Sequence, residues 1–178
     1  FDENYKIVGK GKLKTNIGRT YEEIFADIIE TVKLAVADAK LEIDDIRWIG
    51  IGCPGTCNTD TGVVEYSNNL RWLNVPLLSD IEKAFGKKTY IDNDANVAAY
   101  GEYLAGAAKG AQNAVIITLG TGVGAGIIIN GRIFSGSNFA GGEIGHTVIV
   151  VDGYECTCGR KGCFEAYSSA TGLIRMTR

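Results

Sequence analysis

Residues 119–126 read Leu-Gly-Thr-Gly-Val-Gly-Ala-Gly, with the apolar run Ala114–Leu119 ahead of them and Ala125–Asn130 behind. A short apolar run bounded by turn residues is a buried strand. The second run has the same character, so the glycines between them make a hairpin turn rather than a strand-to-helix phosphate loop. The stretch lacks the G-x-x-x-x-G-K-[ST] spacing, and no helix follows it as a dinucleotide fingerprint requires. Amides freed by Gly120, Gly122 and Gly124, with the Thr121 hydroxyl beside them, would suit an anion. A tight glycine hairpin explains the same residues at least as well.

Working outward, Ala95–Ala107 is alanine-rich and helical, and it follows a short strand at Thr89–Ile91. Upstream, Thr20-Tyr-Glu-Glu23 is a capping box that opens a helix running to about Lys40. Ile24, Ile28, Val32 and Val36 share one face of it. Arg47–Cys53 is an apolar strand stopped by Pro54-Gly55, and Val63–Tyr66 is another after the turn at Thr61-Gly62. Ser79-Asp-Ile-Glu82 reads as a second capping box. Tyr5–Thr15 alternates loosely and predicts an exposed strand. Beyond Val148–Val151 lies a cysteine segment, then a helix from about Cys163 towards Arg178. Strands alternating with helices, plus hairpins, predict an α/β fold with a mixed sheet. A lobe boundary is expected near Ala107–Ala111.

The chain has 178 residues, enough for a real core, and its net charge of −3 leaves no basic footprint for nucleic acid. Apolar runs are too short to span a bilayer, and no signal peptide is read. Glycine is abundant and proline scarce, which points to tight turns and close ligand approach rather than a disordered linker. Three of the five cysteines crowd into Cys156–Cys163. An odd, clustered set beside a lone histidine fits a reduced cytoplasm with metal better than a disulfide framework. The chain starts at Phe1 and stops inside an expected helix, so it reads as an internal fragment of a longer protein.

Four constellations carry chemistry. His146, Cys156, Cys158 and Cys163 are the ligand types zinc prefers, and four of them close a structural tetrahedral site. Glycines at 153, 159 and 162 let a short loop wrap the ion. Asn93-Asp94 ends a strand and enters a helix, where α/β proteins place ligands. A carboxylate there serves as a general base or as an ordinary helix cap, and the dipeptide alone favours the cap. Gly141-Gly142-Glu143-x-x-His146 sets an acid three residues before the histidine. Such a pair suits sugar hydroxyls, with the metal orienting the imidazole; a glycine turn with a solvated glutamate fits equally. Glu165 opens the helix after the metal loop, ordinary dipole compensation within reach of the same sugar. Asp60-Thr61-Gly62 is turn chemistry, and Cys53 and Cys57 are small core residues.

Taken together, Gly-Ile-Gly-Cys-Pro-Gly (50–55), Asn-Asp-Ala-Asn (93–96), the hairpin (119–126), Gly-Gly-Glu-Ile-Gly-His (141–146) and Cys-Thr-Cys-Gly-Arg-Lys-Gly-Cys-Phe-Glu-Ala-Tyr (156–167) resemble the ROK family of bacterial sugar kinases and sugar-responsive repressors. The resemblance runs from end to end and is strongest to glucokinases. It implies an actin-like (ribonuclease H-like) two-lobe ATPase fold, incomplete at both termini, with a partial small lobe at 1–107 and a partial large lobe at 108–178. It implies Asp94 as the base for a hexose 6-hydroxyl. Asn69, Asn93, Asp94, Glu143, His146 and Glu165 would hold the sugar. Gly120, Thr121, Gly122 and Gly124 would meet the phosphates of ATP, and His146, Cys156, Cys158 and Cys163 would hold structural Zn²⁺. Mg²⁺, a cytoplasmic setting and a homodimer or homotetramer are also implied. The family's first phosphate motif and its adenosine-binding portion are expected outside 1–178, so the isolated fragment is expected to be inactive. A repressor core, or a kinase for fructose, allose or N-acetylmannosamine, is the competing expectation.

Overall fold

The structure, a computed structural model, describes residues 1–16 and 18–177. Its contacts divide it into two compact units, Phe1–Asn93 and Asp94–Arg178.

In the first unit, helix α1 (Tyr21–Asp38) starts at the anticipated capping box. The Glu23 amide donates to Thr20 Oγ1 at 3.3 Å and the Thr20 amide donates to Glu23 Oε2 at 2.8 Å. Ile24 is buried, and Ile28, Val32 and Val36 are half-buried on the same face. The strand expected over Tyr5–Thr15 does not form. That segment lies against α1, so close that a Cβ on Gly9 would stand 2.3 Å from Ala35 O and one on Gly11 2.2 Å from Thr31 O. The Lys10 amide donates to Asp38 Oδ2 at 2.8 Å, so a helix side chain takes a backbone donor that a neighbouring strand would otherwise use.

Strand β1 (Trp48–Cys53) is followed by an antiparallel meander of β2 (Thr56–Asn58), β3 (Val63–Ser67) and β4 (Trp72–Val75). Asp60-Thr61-Gly62 is the turn between β2 and β3: Asn58 Oδ1 accepts from the amides of Asp60 and Thr61, and Gly62 sits at φ +72°. Helix α2 (Leu77–Phe85) begins two residues before the expected box at Ser79. Pro76 precedes it, Ser79 donates to Pro76 O, and Glu82 accepts the Thr89 amide at 3.0 Å. Glu82 therefore ties α2 to the next strand instead of capping its own helix. Strand β5 (Lys88–Asn93) runs parallel to β1, with Cys53 opposite Asn93. Cys53, Cys57, Val64, Trp72, Leu77 and Ile81 are buried between these layers, so both early cysteines are core residues.

In the second unit, α3 (Asp94–Ala105) packs on a three-stranded antiparallel sheet of β6 (Ala114–Leu119), β7 (Val123–Ile129) and β8 (Arg132–Ile133). The glycine hairpin forms as read, with Leu119 opposite Val123 and Ala114 opposite Ile128, but β6 is not the buried strand expected: Val115, Ile117 and Leu119 are exposed on one of its faces. None of Gly120, Gly122, Gly124 and Gly126 takes a left-handed φ. Three of them serve close approach instead: a Cβ on Gly124 would lie 3.0 Å from Ala95 Cβ, one on Gly126 2.3 Å from Ala99 Cβ, and one on Gly122 2.4 Å from Glu165 Oε2. Small residues on both α3 and β7 let helix and strand touch, so these contacts group α3 with the sheet and the division falls at Asn93–Asp94, ahead of the Ala107–Ala111 boundary read from sequence. The helix expected from Cys163 is two helices, α4 (Glu165–Ser168) and α5 (Ala170–Met176). Ser169 interrupts them with extended backbone, and its side chain accepts the Gly172 amide at 3.0 Å. Arg178, the expected end of that helix, lies outside the described residues. Pairings are thus both parallel and antiparallel, as a mixed α/β architecture requires.

Candidate functional site

Short turns around β7 position the chemistry of the second unit. Asp94 is the first residue of α3, exposed, and its Oδ1 accepts the Ala95 amide at 3.0 Å. It therefore serves the helix start while staying accessible to solvent. A Cβ on Gly142 would meet Ala125 O of β7 at 2.3 Å and Asn96 Oδ1 of α3 at 3.7 Å. Gly142, the residue before Glu143, thus lies beside the turn of α3 that begins with Asp94. The 3₁₀ turn Ile144–His146 continues from it. Its buried Gly145 presses on Val123 O, where a Cβ would stand 2.1 Å away. Two independent glycine contacts therefore lock the Glu143–His146 turn onto β7.

His146 presents two different faces. Its Nδ1 is 3.6 Å from Cys156 Sγ, and its Nε2 is 3.9 Å from Glu143 Oε2. The nitrogen facing Cys156 and the nitrogen facing Glu143 are thus distinct. The ligand atoms of His146, Cys156, Cys158 and Cys163 all lie within 4.8 Å of one another, with Cys158 Sγ and Cys163 Sγ 3.7 Å apart. Thiolates bound at about 2.3 Å around a tetrahedral centre would be about 3.8 Å apart, so the four side chains fit one small, soft, four-coordinate ion. Gly159 and Gly162 take φ +85° and +76°. The turn at Gly162 brings the chain against Val150 O, leaving no room for a side chain.

The protons of this cluster are unevenly held. Burial opposes the Cys158 thiolate, but bonds from the backbone and side chain of Arg160 and from the neighbouring thiols outweigh it and bring Cys158 down to about 6. Burial first, and the adjacent thiols second, push Cys163 up to about 11. A cation would favour the thiolate at both positions and so offset the burial that opposes it.

Glu165 joins the metal loop to the hairpin. Its Oε2 accepts the Val123 amide at 2.9 Å, and its Oε1 accepts the Thr157 hydroxyl at 3.3 Å and faces Cys156 Sγ at 3.8 Å. At the hairpin tip, Gly120 and Thr121 are exposed. The Ala170 amide donates to Gly120 O at 2.9 Å, and Thr171 Oγ1 donates to Thr121 O at 3.0 Å. Sequence reasoning missed Thr157, Thr171 and Arg160, whose Nη2 donates to His146 O at 2.9 Å. Thr157 and Arg160 were findable as loop residues among the ligands; Thr171 carries no local signal.

In the first unit, Asn93 lies at the carboxyl end of β5, and its Nδ2 donates to Gly55 O at 3.0 Å. Gly55, at φ +116°, packs against Ser67, where a Cβ would stand 2.9 Å from Ser67 Cα. Asn69 is exposed in the turn that follows Ser67. Asn93 and the Asn69 segment are thus linked through Gly55 at the carboxyl ends of the parallel strands, the edge where open α/β sheets receive ligands.

Comparison with known proteins places this architecture. The chain is 38% identical over 177 residues to the glucokinase of Thermotoga maritima, covering 99% of this chain and 54% of that protein. It is 35% identical over 162 residues to the xylose repressor of Caldicellulosiruptor bescii, covering 91% of this chain and 41% of that protein. Among solved structures, the ROK family glucokinase of Streptomyces griseus in complex with glucose and AMPPNP superposes with a TM-score of 0.84 at 35% identity, covering 98% of this chain and 54% of that one. The ROK hexokinase of Thermus thermophilus superposes at 0.81 with 30% identity, covering 99% and 57%. The chain therefore spans about half the length of the relatives it matches. It shares with them the mixed α/β, actin-like ATPase fold expected from the motifs. The ROK family profile matches residues 1–178, and the chain belongs to the ROK family.

Proposed function

We propose that the full-length protein transfers the γ-phosphoryl group of MgATP to the 6-hydroxyl of glucose, as a ROK-type glucokinase. One arrangement carries this reading: the first turn of α3, which begins with Asp94, and Gly142, which precedes Glu143, both pack on β7, and Gly142 lies beside Asn96 of that turn. Two carboxylates beside one support suit a base and a hydroxyl acceptor. Glucokinases of this family at 38–41% identity support it, as does the related enzyme solved with glucose and an ATP analogue.

In this mechanism Asp94 accepts the 6-hydroxyl proton as the oxygen attacks phosphorus in line. Asn69, Asn93, Glu143, His146 and Glu165 orient the sugar through its hydroxyls, so that positioning supplies much of the rate. Gly120, Thr121, Gly122 and Gly124 meet the phosphates, with the Thr121 hydroxyl and nearby backbone amides as donors. Zn²⁺ fits His146, Cys156, Cys158 and Cys163. Bound there it is structural, because a site closed by four protein ligands has no position for a reacting water. His146 keeps Nε2 turned to Glu143 and the sugar. A cytoplasmic location and a homodimer or homotetramer belong to the same proposal. Among the described residues no helix is long and apolar enough to cross a membrane.

The xylose repressor relatives favour one second reading, a sugar-responsive DNA-binding regulator built on the same core. Incubating the full-length protein with MgATP and a panel of hexoses, then identifying the product, separates them. Glucose 6-phosphate with matching ADP supports the kinase. Sugar binding with no phosphorylated product, and sugar-dependent DNA retention, supports the regulator.

A further inference from the structure

The segment that follows the metal loop holds the hairpin tip at three points. The Glu165 carboxylate accepts the Val123 amide, the Ala170 amide donates to Gly120 O, and the Thr171 hydroxyl donates to Thr121 O. Of these three residues, Glu165 also reaches back to the loop, through Thr157 Oγ1 and Cys156 Sγ. Gly122 leaves space for this contact, since a Cβ there would lie 2.4 Å from Glu165 Oε2. One carboxylate thus bonds to a strand amide through one oxygen and to the metal loop through the other. Hydrogen bonds to an ionised acceptor are the stronger kind and are directional.

We propose that Glu165 is a positioning residue through which order in the metal loop fixes the tip of the glycine hairpin, so that the metal governs the phosphate-binding turn as well as the sugar side. The proposal rests on the reading above that the loop holds zinc and the hairpin receives phosphates. Without Glu165, Val123 loses a charged acceptor, and the tip is held by Ala170 and Thr171. The remainder of the β6–β7 ladder, from Ala114–Ile116 across to Gly126–Ile128, does not depend on Glu165.

Hydrogen exchange on the full-length protein tests this without any substrate. Stripping zinc with a chelator should speed exchange at Val123 by about tenfold or more, while the amides of the Ala114–Ile116 and Gly126–Ile128 end keep their protection. Glu165→Ala should show the same acceleration with zinc still bound at one per chain, and zinc removal from that variant should add little. Glu165→Gln, which keeps an acceptor oxygen, should fall between the two. Equal acceleration at Val123 on zinc removal from wild type and Glu165→Ala would overturn the proposal, because the coupling would bypass Glu165. So would loss of protection along the whole ladder, which would make the metal a general fold stabiliser. No change at Val123 in either case overturns it as well. These rates need neither sugar nor ATP, so they fail or succeed separately from the kinase reading.

Discussion

Replacing Gly126 by alanine tests the seating of α3 on β7, on which the position of Asp94 depends. The added methyl would lie 2.3 Å from Ala99 Cβ and 2.9 Å from Ala95 O. Carbons in contact sit about 3.5–4.0 Å apart, so α3 would have to retreat by more than about 1 Å. Its obstacles are helix backbone and a Cβ, which cannot rotate away. Overpacking of this kind costs ~2–3 kcal/mol. At about 1–2 °C per kcal/mol for a protein about twice this length, Tm should fall by roughly 2–6 °C. Gly101 supplies the opposite control: it lies in the same helix, and a methyl added there would have nothing within 4 Å. Gly101→Ala should therefore stabilise by ~0.5–1 kcal/mol through reduced unfolded-state freedom. Thermal melts of the full-length protein followed by circular dichroism would read both signs. A Gly126→Ala variant melting within about 1 °C of the parent, or above Gly101→Ala, would refute the close helix–strand contact.

Cys158→Ser should lose zinc by metal analysis and then lose stability and sugar affinity together, since a structural site stabilises the fold directly; full zinc content in the variant would contradict the ligand set. Tyr21 Oη donates to Asp80 Oδ2 at 2.8 Å, and Tyr21→Phe should cost ~1 kcal/mol in urea unfolding. Burial foremost, then that bond, raises the Tyr21 phenol above its usual range. The folded state therefore binds its proton more tightly than the unfolded chain does. The contribution is whole below about pH 10 and fades as pH rises through the folded value. Urea midpoints should accordingly fall more between about pH 9 and pH 11 in wild type than in Tyr21→Phe; equal falls would contradict the sign.

The elements that were legible in the sequence are those whose signal is local. The Thr20–Glu23 box needs only four adjacent residues to declare itself, and the Ala114–Leu119 strand is bounded by its own glycines. The clustering of His146, Cys156, Cys158 and Cys163 was legible because three of them fall within one loop and the chain has one histidine. What was not legible depends on partners distant in sequence. Tyr5–Thr15 has a strand-like pattern, but Gly9 and Gly11 seat it on α1. Ser79–Glu82 has the right spacing for a cap, but Glu82 is drawn to Thr89. Strands β2 and β8 are too short to leave a period of their own. In the candidate site, residue types single out Glu143 and Glu165 as candidates. That Glu165 spends one oxygen on Val123 follows only from the fold.

The role proposed for Asp94 is removal of the proton from the sugar hydroxyl. The direct measurement compares glucose binding and glucose-dependent ADP release in the full-length protein and its Asp94→Asn variant. Calorimetry should still detect glucose binding in the variant while turnover falls by about 10²-fold or more, the size expected for removal of a general base. Retained turnover, or loss of glucose binding together with activity, would contradict it, the latter by making Asp94 a sugar ligand first.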